Sequence, residues 1–357
     1  MDPVITSELV TLRRQYLQLV DLSQLRWPQG SVLKRPDVQS WIFHNLFDAD
    51  KLTTLPPERY RLRTLKLLVS KLEQAVDNPE EDEISDDLMS ALSILLASGV
   101  PSESDSAQQK AYVTYTFSQD SSTGTISQDY GVTLLESRAV ISSSGTTGLR
   151  TWEAALHLGS FLSSGHGREK IRGKRILELG AGTGMLSILC AKYLGVSGVV
   201  ATDGDEAVVD AIKTNSFLNG VDTEGQSQTV VRSAALRWGW PLDANTFAED
   251  YGMAVPDLVL GADVTYDKTV IPALVSSMRG LFEMNSSLHV LIAATIRNEE
   301  TFEAFLNACR RNRFTMELVE FEVRPEEHQD GPFYPASIPI RIWELSRPQV
   351  PADPFAL

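Results

Sequence analysis

One stretch decides the fold: Ile176-Leu-Glu-Leu-Gly180-Ala-Gly182-Thr-Gly184 begins as a short apolar strand and continues into alternating glycines. A helical pattern from Met185 to Leu194 follows at once. Glycine lets the backbone turn sharply and approach a ligand without a clash from a Cβ atom, and the helix start presents unpaired N–H groups. This order of strand, loop and helix predicts a site for a nucleotide-like cofactor.

Two details favour S-adenosylmethionine over a dinucleotide as that cofactor. The dinucleotide fingerprint has its third glycine where this chain has Met185, so the spacing that suits a pyrophosphate is missing. Glu178 lies two residues before Gly180, where its carboxylate can pair with the cationic amino group of a methionine moiety and would repel a pyrophosphate. A NAD-dependent dehydrogenase is therefore the disfavoured alternative.

An acidic residue is expected at the end of the next strand, where it can bind the ribose hydroxyls of the cofactor. Asp203 ends that strand, and Asp205 is a competing candidate for the role. Both residues also suit a simpler purpose, because aspartate is common in turns and at helix N-caps. The sequence leaves the choice between them open.

Short apolar and β-branched runs alternate with helical patterns from residue 175 onward, which is typical of a parallel sheet covered by helices on both faces. The predicted parallel strands are Arg175 to Gly180, Val199 to Asp203, Thr229 to Leu236, Asp257 to Val264 and His289 to Ile296. Two further strand-like segments, Phe314 to Val323 and Ser337 to Leu345, have no helical pattern between them. They predict a terminal antiparallel hairpin, and the fold class is α/β.

The N-terminal part follows a different pattern. Apolar residues recur at helical spacing between residues 6 and 97, with shorter helices predicted at Val38 to Phe47 and Leu88 to Ala97. The polar stretch from Ser98 to Lys110 indicates a linker. We predict a small helical module at residues 1–105 and a cofactor-binding domain at 106–357. The second domain should open with strands at Tyr112 to Phe117 and Val132 to Leu135.

Charge and composition exclude several classes of protein. A formal net charge of −15 would repel the phosphate backbone of DNA or RNA, so no direct nucleic-acid partner is expected. No stretch approaches the ~20 apolar residues of a membrane span, and we expect a cytoplasmic protein. The cysteines and histidines show no metal-ligand spacing, so we expect no metal. The acidic run from Asp77 to Asp87 is predicted to be a solvated linker, with a docking surface for a basic partner as the alternative.

A second group of polar residues follows the fourth predicted strand. The carboxyl ends of parallel strands line the ligand crevice, so Asp263 and Tyr266 should lie beside the glycine loop. A carboxylate and a phenol could orient an acceptor amine, because methyl transfer from a sulfonium depends mainly on alignment. The simpler alternative is that both residues only close the strand and cap a helix from Lys268.

Two more segments give the chain a family resemblance. These are Gly145-Thr-Thr-Gly148-Leu-Arg-Thr151-Trp152-Glu-Ala-Ala-Leu156 and Arg297-Asn298-Glu-Glu-Thr301. With the glycine loop, they resemble the family-16 seven-strand protein lysine methyltransferases, in particular the elongation factor 2 lysine methyltransferases with a helical N-terminal extension. The resemblance covers about residues 130 to 345. It implies a Rossmann-like sheet, S-adenosyl-L-methionine as cofactor and a lysine of translation elongation factor 2 as substrate.

The resemblance also assigns site residues. The residues that it implies to contact the cofactor are Trp152, Gly180, Ala181, Gly182, Asp203, Trp238 and Ala262. Glu178, the carboxylate before the glycine loop, completes the predicted cofactor site. Asp263 and Tyr266 match the family's acidic-x-x-Tyr motif and are the predicted catalytic residues. The sequence does not decide whether Trp238 or Trp240 faces the cofactor. We further expect a monomer whose helical module helps to recognise a protein substrate; a small-molecule methyltransferase with the same cofactor residues is the alternative.

Overall fold

A computed structural model describes residues 2–78, 82–99, 102, 109–118, 129–137, 146–225 and 229–348. The chain divides into two compact units, one mainly helical and one built on a large sheet. The helical unit comprises the described parts of 1–116, 133–143 and 330–333, and the sheet unit comprises the described remainder. The boundary predicted between residues 105 and 106 lies outside the described residues, as does most of the predicted linker.

Five α-helices form the described part of the helical unit: α1 Pro3–Leu17, α2 Gly30–Leu33, α3 Pro36–Ile42, α4 Glu58–Ala75 and α5 Asp86–Ala97. Proline begins α1 and α3, a position where its missing N–H costs nothing and its fixed φ favours the helix. The predicted helix from Val38 to Phe47 is confirmed, although its second half is a π-helical turn. The apolar faces pack around Leu12, Tyr16 and Leu68, which are fully buried.

Where the structure describes it, the acidic run is largely exposed and begins in the connection between α4 and α5, as predicted, but Asp82 is an exception. Lys34 Nζ lies 2.8 Å from Asp77 Oδ2 and 3.0 Å from Asp82 Oδ2. The Asp82 side chain is only 16% exposed and also accepts hydrogen bonds from the backbone N–H groups of Asp77 and Asn78. The run ends in the first turn of α5, where the helix dipole favours acidic side chains. Asp82 therefore holds a turn in place, whereas most of the described run remains exposed.

A short C-terminal piece, Asp330–Phe333, belongs to the helical unit. The side chain of Gln18 donates to the Phe333 carbonyl and accepts from its N–H at 2.9 Å. Arg14 donates to the Asp330 carbonyl at 2.7 Å, and the guanidinium of Arg26 lies over the Phe333 ring. The helical unit is therefore not built from N-terminal residues alone.

Two strands, β1 Lys110–Phe117 and β2 Tyr130–Ser137, form a separate two-stranded sheet. The large sheet contains seven strands: β3 Arg175–Leu179, β4 Gly198–Asp203, β5 Val231–Ala235, β6 Leu258–Ala262, β7 His289–Thr295, β8 Thr315–Val319 and β9 Ile340–Ser346. Their order is β5-β4-β3-β6-β7-β9-β8. Strands β3 to β7 are parallel, and β9 is antiparallel to both β7 and β8. The predicted parallel sheet and terminal hairpin are confirmed.

Seven helices belong to the described sheet unit: α6 Glu153–Ser163, α7 Gly165–Ile171, α8 Met185–Tyr193, α9 Glu206–Leu218, α10 Phe247–Tyr251, α11 Ile271–Met284 and α12 Glu299–Arg311. The start predicted for α11 at Lys268 is wrong, because the helix begins at Ile271 after the cap residue Val270. Asp267 instead holds a turn through Thr269. No helix among the described residues has the length and apolar content to cross a membrane.

The strand order reverses between β3 and β6, since β4 and β5 lie on one side and β7 on the other. In open α/β sheets the loops at the carboxyl ends of such strands leave a crevice between them, and ligands bind there. The glycine loop after β3 and the polar residues after β6 both lie at this edge. The topology thus brings the two predicted motifs together.

Candidate active site

A cavity of about 630 Å³ lies at the carboxyl ends of β3, β4, β5 and β6. Small-molecule sites typically measure ~300–1,000 Å³, so a nucleoside with an amino-acid tail is within its capacity. All the predicted site residues line it: Trp152, Glu178, Gly180, Ala181, Gly182, Asp203, Trp238, Ala262, Asp263 and Tyr266. The structure therefore brings together residues that are spread over more than a hundred positions of sequence.

The glycine loop adopts left-handed backbone conformations that other residues rarely take. The φ angle is 63° at Gly180 and 55° at Gly182. A Cβ atom on Gly180 would lie 2.9 Å from Val264 Cγ1, and one on Gly182 would lie 3.1 Å from the carbonyl oxygen of Gly148. Glycine is needed here both for its conformation and for the space that it leaves.

Glu178 is buried at the end of β3, with its carboxylate facing the helix that follows the loop. Ser187 donates to Oε2 from its backbone N–H at 3.0 Å and from its hydroxyl. Helix α8 has no side-chain cap at Gly184, so Glu178 satisfies one of its unpaired N–H groups. Within the described part of the chain no donor reaches Oε1, and Glu178 lines the cavity. Burial raises the Glu178 pKa to about 7, although the Ser187 hydrogen bonds lower it.

Asp203 and Asp205 both line the cavity but have different partners. Asp203 accepts hydrogen bonds from the backbone N–H groups of Gly182 and Asp205, each at 3.2 Å. Asp205 accepts from the N–H of Ala207 at 2.8 Å and is the N-cap of α9. The helix-cap alternative therefore describes Asp205, while Asp203 ties the end of β4 to the glycine loop. Burial raises the pKa of Asp203.

Residues 146–152 run beside the glycine loop. The hydroxyls of Thr151 and Thr183 share a hydrogen bond of 2.7 Å, which joins this segment to the loop. Gly148 provides a second point of close approach, since its carbonyl oxygen faces Gly182. Gly145, the first residue of the segment Gly145–Leu156, lies outside the described residues.

Trp152 is held at the cavity wall rather than in the core. Its Nε1 donates to the carbonyl of Thr147 at 3.2 Å. The guanidinium carbons of Arg150 and Arg297 lie 5.5 Å and 5.3 Å from the Trp152 ring centroid, within the range of cation–π attraction. Both arginines also line the cavity.

The two candidate indoles are distinguished by their exposure. Trp238 is half-buried, lines the cavity, and lies 3.1 Å from where a Cβ atom of Gly180 would be. Trp240 is 63% exposed and is not among the lining residues; the guanidinium of Arg237 lies over its ring. Trp238 is therefore the indole that faces the cavity, together with Ala262 at the end of β6.

Asp263 follows β6 with a left-handed φ of 51°, which is uncommon for a residue other than glycine. Its carboxylate accepts hydrogen bonds from Thr295 N at 2.8 Å, Thr295 Oγ1 at 3.0 Å and Ala154 N at 3.4 Å. Burial raises the Asp263 pKa, and the hydrogen bonds from Thr295 oppose that shift. Tyr266, by contrast, is 66% exposed at the mouth of the cavity. Asp263 thus joins β7 and the start of α6, and Tyr266 is accessible to an acceptor.

An ion pair joins the two signature segments, and sequence reasoning gave neither of its residues a role. Arg297 Nη2 donates to Glu153 Oε2 at 2.6 Å, and Arg297 Nη1 lies 4.0 Å from Asp263 Oδ2. Asn298 caps α12 by accepting from the N–H of Thr301 at 3.1 Å. The only available signal was that both residues lie inside the quoted segments. The segment Arg297–Thr301 therefore supplies one charge to the cavity and one helix cap.

No group of three or more potential metal ligands occurs within the described part of the chain. His157 is buried and its ring nitrogens lie 3.0 Å from the Tyr334 hydroxyl and 3.2 Å from the Phe321 carbonyl. Burial lowers its pKa to about 4, so this histidine is neutral at physiological pH. Cys190 and Cys309 are buried and unpaired, as the sequence predicts.

The cavity fits S-adenosylmethionine on four counts. The glycine loop lines the cavity with bare backbone at Gly180 and Gly182. Glu178 lines the cavity, and within the described residues its Oε1 has no hydrogen-bond donor, so this carboxylate could pair with an ammonium group. Asp203 offers carboxylate oxygens at the end of the neighbouring strand, and Trp238 offers a flat apolar surface. This site, on a sheet of seven strands with one antiparallel strand inserted beside β7, defines a Rossmann-like S-adenosylmethionine-dependent methyltransferase.

Comparison with known proteins narrows this class. A family described as lysine methyltransferase matches residues 138–312. Protein-lysine N-methyltransferase EFM3 of Chaetomium thermophilum is 46% identical over 333 residues, covering 93% of this chain and 96% of the relative. The chain therefore belongs to the lysine methyltransferase family. It is a protein-lysine N-methyltransferase that uses S-adenosylmethionine, and the small-molecule alternative loses its support.

Two more distant relatives carry similar names. EFM3 of Saccharomyces cerevisiae is 31% identical over 291 residues, which cover 76% of this chain and 78% of the yeast protein. Human protein-lysine N-methyltransferase EEF2KMT is 32% identical over 206 residues, which cover 56% of this chain and 58% of the human protein. The likeness to the human enzyme thus spans little more than half of each chain.

Replacing Gly182 with alanine is expected to weaken S-adenosylhomocysteine binding at least tenfold, about 1.4 kcal/mol. The added Cβ meets the Gly148 carbonyl at 3.1 Å in a backbone of positive φ. Gly173→Ala is the matched control, because Gly173 has a φ of 70° and open space around it. Titration calorimetry measures both variants. If Gly182→Ala binds S-adenosylhomocysteine as tightly as wild type does, the assignment of the glycine loop to the binding site is wrong.

Proposed function

We propose that this enzyme methylates a lysine of translation elongation factor 2. One observation carries the proposal: the two segments that resemble those of the elongation factor 2 methyltransferases are joined by the 2.6 Å ion pair between Glu153 and Arg297, and Arg297 lines the cavity. The human relative EEF2KMT, whose name includes that factor, supports the same substrate. A folded protein acceptor also suits a cavity whose mouth is open at Tyr266.

We assign the cofactor's parts to the cavity by charge and shape. The methionine ammonium is assigned to Glu178 and the methionine backbone to the loop at Gly180–Gly182, with Trp152 alongside. The ribose hydroxyls are assigned to Asp203, and the adenine to Trp238 and the backbone of Ala262. Each assignment pairs a polar group of the ligand with a residue of opposite or complementary character that lines the cavity.

When bound, the cofactor supplies an activated methyl group on a sulfonium. The residues of this chain then need only align the acceptor and hold its amine in the reactive, uncharged form. Tyr266 is exposed at the mouth, so its hydroxyl can hydrogen-bond the incoming amine while the amine proton passes to water. Asp263 is engaged by Thr295 and Ala154, so its role is to position this wall and to attract the cationic lysine by its charge.

The affinity for S-adenosylhomocysteine is expected to rise as the pH increases through about 7. Glu178 must be ionised to pair with the ligand ammonium, and burial raises its pKa to about 7. Glu178→Gln should bind more weakly and lose this pH dependence, whereas Glu283→Gln, at an exposed site, should retain it. Calorimetry at a series of pH values measures the dependence. If the affinity of Glu178→Gln still rises with pH, a group other than Glu178 is responsible for the pH dependence.

The raised pKa of Glu178 has the opposite effect on the stability of the ligand-free protein, which should fall as the pH rises. The folded state holds the Glu178 proton more tightly than the unfolded chain, whose pKa is near the ordinary value of 4.5. This contribution to the free energy of unfolding is therefore present below pH 4.5 and is lost as the pH rises through about 7. Ligand-free wild type should lose stability over that window relative to Glu178→Gln.

Labelled S-adenosylmethionine and purified elongation factor 2 test the substrate directly. Wild type should label the factor on lysine, and Tyr266→Phe should slow turnover roughly tenfold, the effect of losing one hydrogen bond to the acceptor. Its cofactor affinity should stay within a factor of about two. Tyr251→Phe, outside the cavity, is the control. Absence of label on elongation factor 2, with label on another protein in a whole-cell lysate, would contradict the proposed substrate.

We also propose that the helical unit contributes to recognition of the protein substrate. None of the cavity residues belongs to it, yet α5 exposes the apolar side chains of Ile94 and Leu96, at 69% and 54%. Ile94→Ser combined with Leu96→Ser should lower the labelling of elongation factor 2 and leave cofactor affinity unchanged. Phe217→Ser, at a 71% exposed site of the sheet unit, is the matched control. Undiminished labelling would exclude these two side chains of α5 from recognition.

A further inference from the structure

The methionine end of S-adenosylmethionine carries two opposite charges, and Glu178 accounts for only one of them. A carboxylate on the ligand needs a positive partner, because placing it beside the buried Glu178 carboxylate without one would be unfavourable. Three cationic side chains line the described cavity: Arg150, Arg237 and Arg297. Their surroundings distinguish them.

Two of the three arginines are committed elsewhere. Arg297 pairs with Glu153 at 2.6 Å and lies 4.0 Å from Asp263, so its charge is already neutralised. Arg237 follows β5 on the side of the cavity assigned to adenine, and its guanidinium lies over the exposed ring of Trp240. Arg297, although it also lies over Trp152, therefore has no free charge to offer, and Arg237 lies on the adenine side.

Arg150 lies in the segment that is fastened to the glycine loop at two points. Gly148 approaches Gly182 on one side of it, and Thr151 bonds Thr183 on the other. The Arg150 side chain is half-buried, and its guanidinium is held over the ring of Trp152. No carboxylate among the residues that the structure describes forms an ion pair with Arg150. Its charge is therefore available.

We propose that Arg150 binds the carboxylate of the cofactor's methionine moiety. The inference rests on the proposed placement of that moiety at Glu178 and Gly180. The planar guanidinium presents a fork of N–H donors that matches a carboxylate, and stacking on Trp152 orients the fork in advance. Glu178 thus binds the ammonium group of the methionine moiety, and Arg150 binds its carboxylate. This pairing selects the intact zwitterion over adenosine metabolites that lack it.

Titration calorimetry with two ligands tests the assignment without measuring activity. The ligands are S-adenosylhomocysteine and its decarboxylated analogue, which keeps the amino group and loses only the carboxylate. Wild type should bind the complete ligand roughly tenfold to a hundredfold more tightly, the range for one charged hydrogen-bonded contact. Arg150→Gln should abolish this preference by weakening only the complete ligand. Arg150→Lys should restore part of it.

The analogue also reports on the integrity of the variant, because its affinity should be the same in wild type and Arg150→Gln. Equal loss of both ligands in Arg150→Gln would overturn the inference and make Arg150 only a support for Trp152. The inference is also overturned if Arg237→Gln, rather than Arg150→Gln, removes the preference. A wild type that binds both ligands equally well would reject a carboxylate partner while leaving the methyltransferase assignment intact. A wild type that binds neither ligand would reject the cofactor placement itself.

Discussion

The buried carboxylate of Glu178 joins the sheet to the start of α8, and the cofactor site is organised around it. One oxygen of Glu178 accepts both hydrogen bonds from Ser187. The Glu178 carboxylate thereby caps helix α8, whose N-cap residue Gly184 has no side chain to do so. The other oxygen has no donor within the described chain and belongs to a cavity-lining residue. A carboxylate this deeply buried is stable in its charged form only with partners on both oxygens. That constraint gives the protein both a fixed loop and a preference for a cationic ligand.

The remaining walls are positioned relative to this loop by short polar links. Asp203 holds it from β4, and Thr151 holds the segment 146–152 against it. On the acceptor side, Asp263 joins β7 to the start of α6, while Arg297 pairs with Glu153 at the first residue of that helix. Trp152, which is assigned to the cofactor side, is the N-cap residue of the same helix, so α6 takes part in both halves of the cavity. A displacement of α6 would disturb cofactor and acceptor positions together.

The sequence predicts the sheet and the cofactor loop well because both depend on local patterns. Apolar strand runs and the glycines at 180 and 182 are properties of contiguous residues. The ion pair between Arg297 and Glu153 spans 144 positions, and no local pattern indicates it. Burial also depends on residues that are distant in sequence. Trp238 and Trp240 lie two positions apart in the same segment, and no local pattern shows that only Trp240 is largely exposed. The structural role of Asp82 within the acidic run has no local signal for the same reason, since its partner Lys34 is distant in sequence.

A crystal structure with S-adenosylhomocysteine tests the central claim most directly, because every assigned contact depends on where the amino acid end of the ligand lies. The account predicts its amino nitrogen within hydrogen-bond distance, ~3 Å, of the free oxygen of Glu178. It also predicts the adenine beside Trp238. A ligand bound in this cavity with its amino group directed away from Glu178, toward Asp263, would contradict the account.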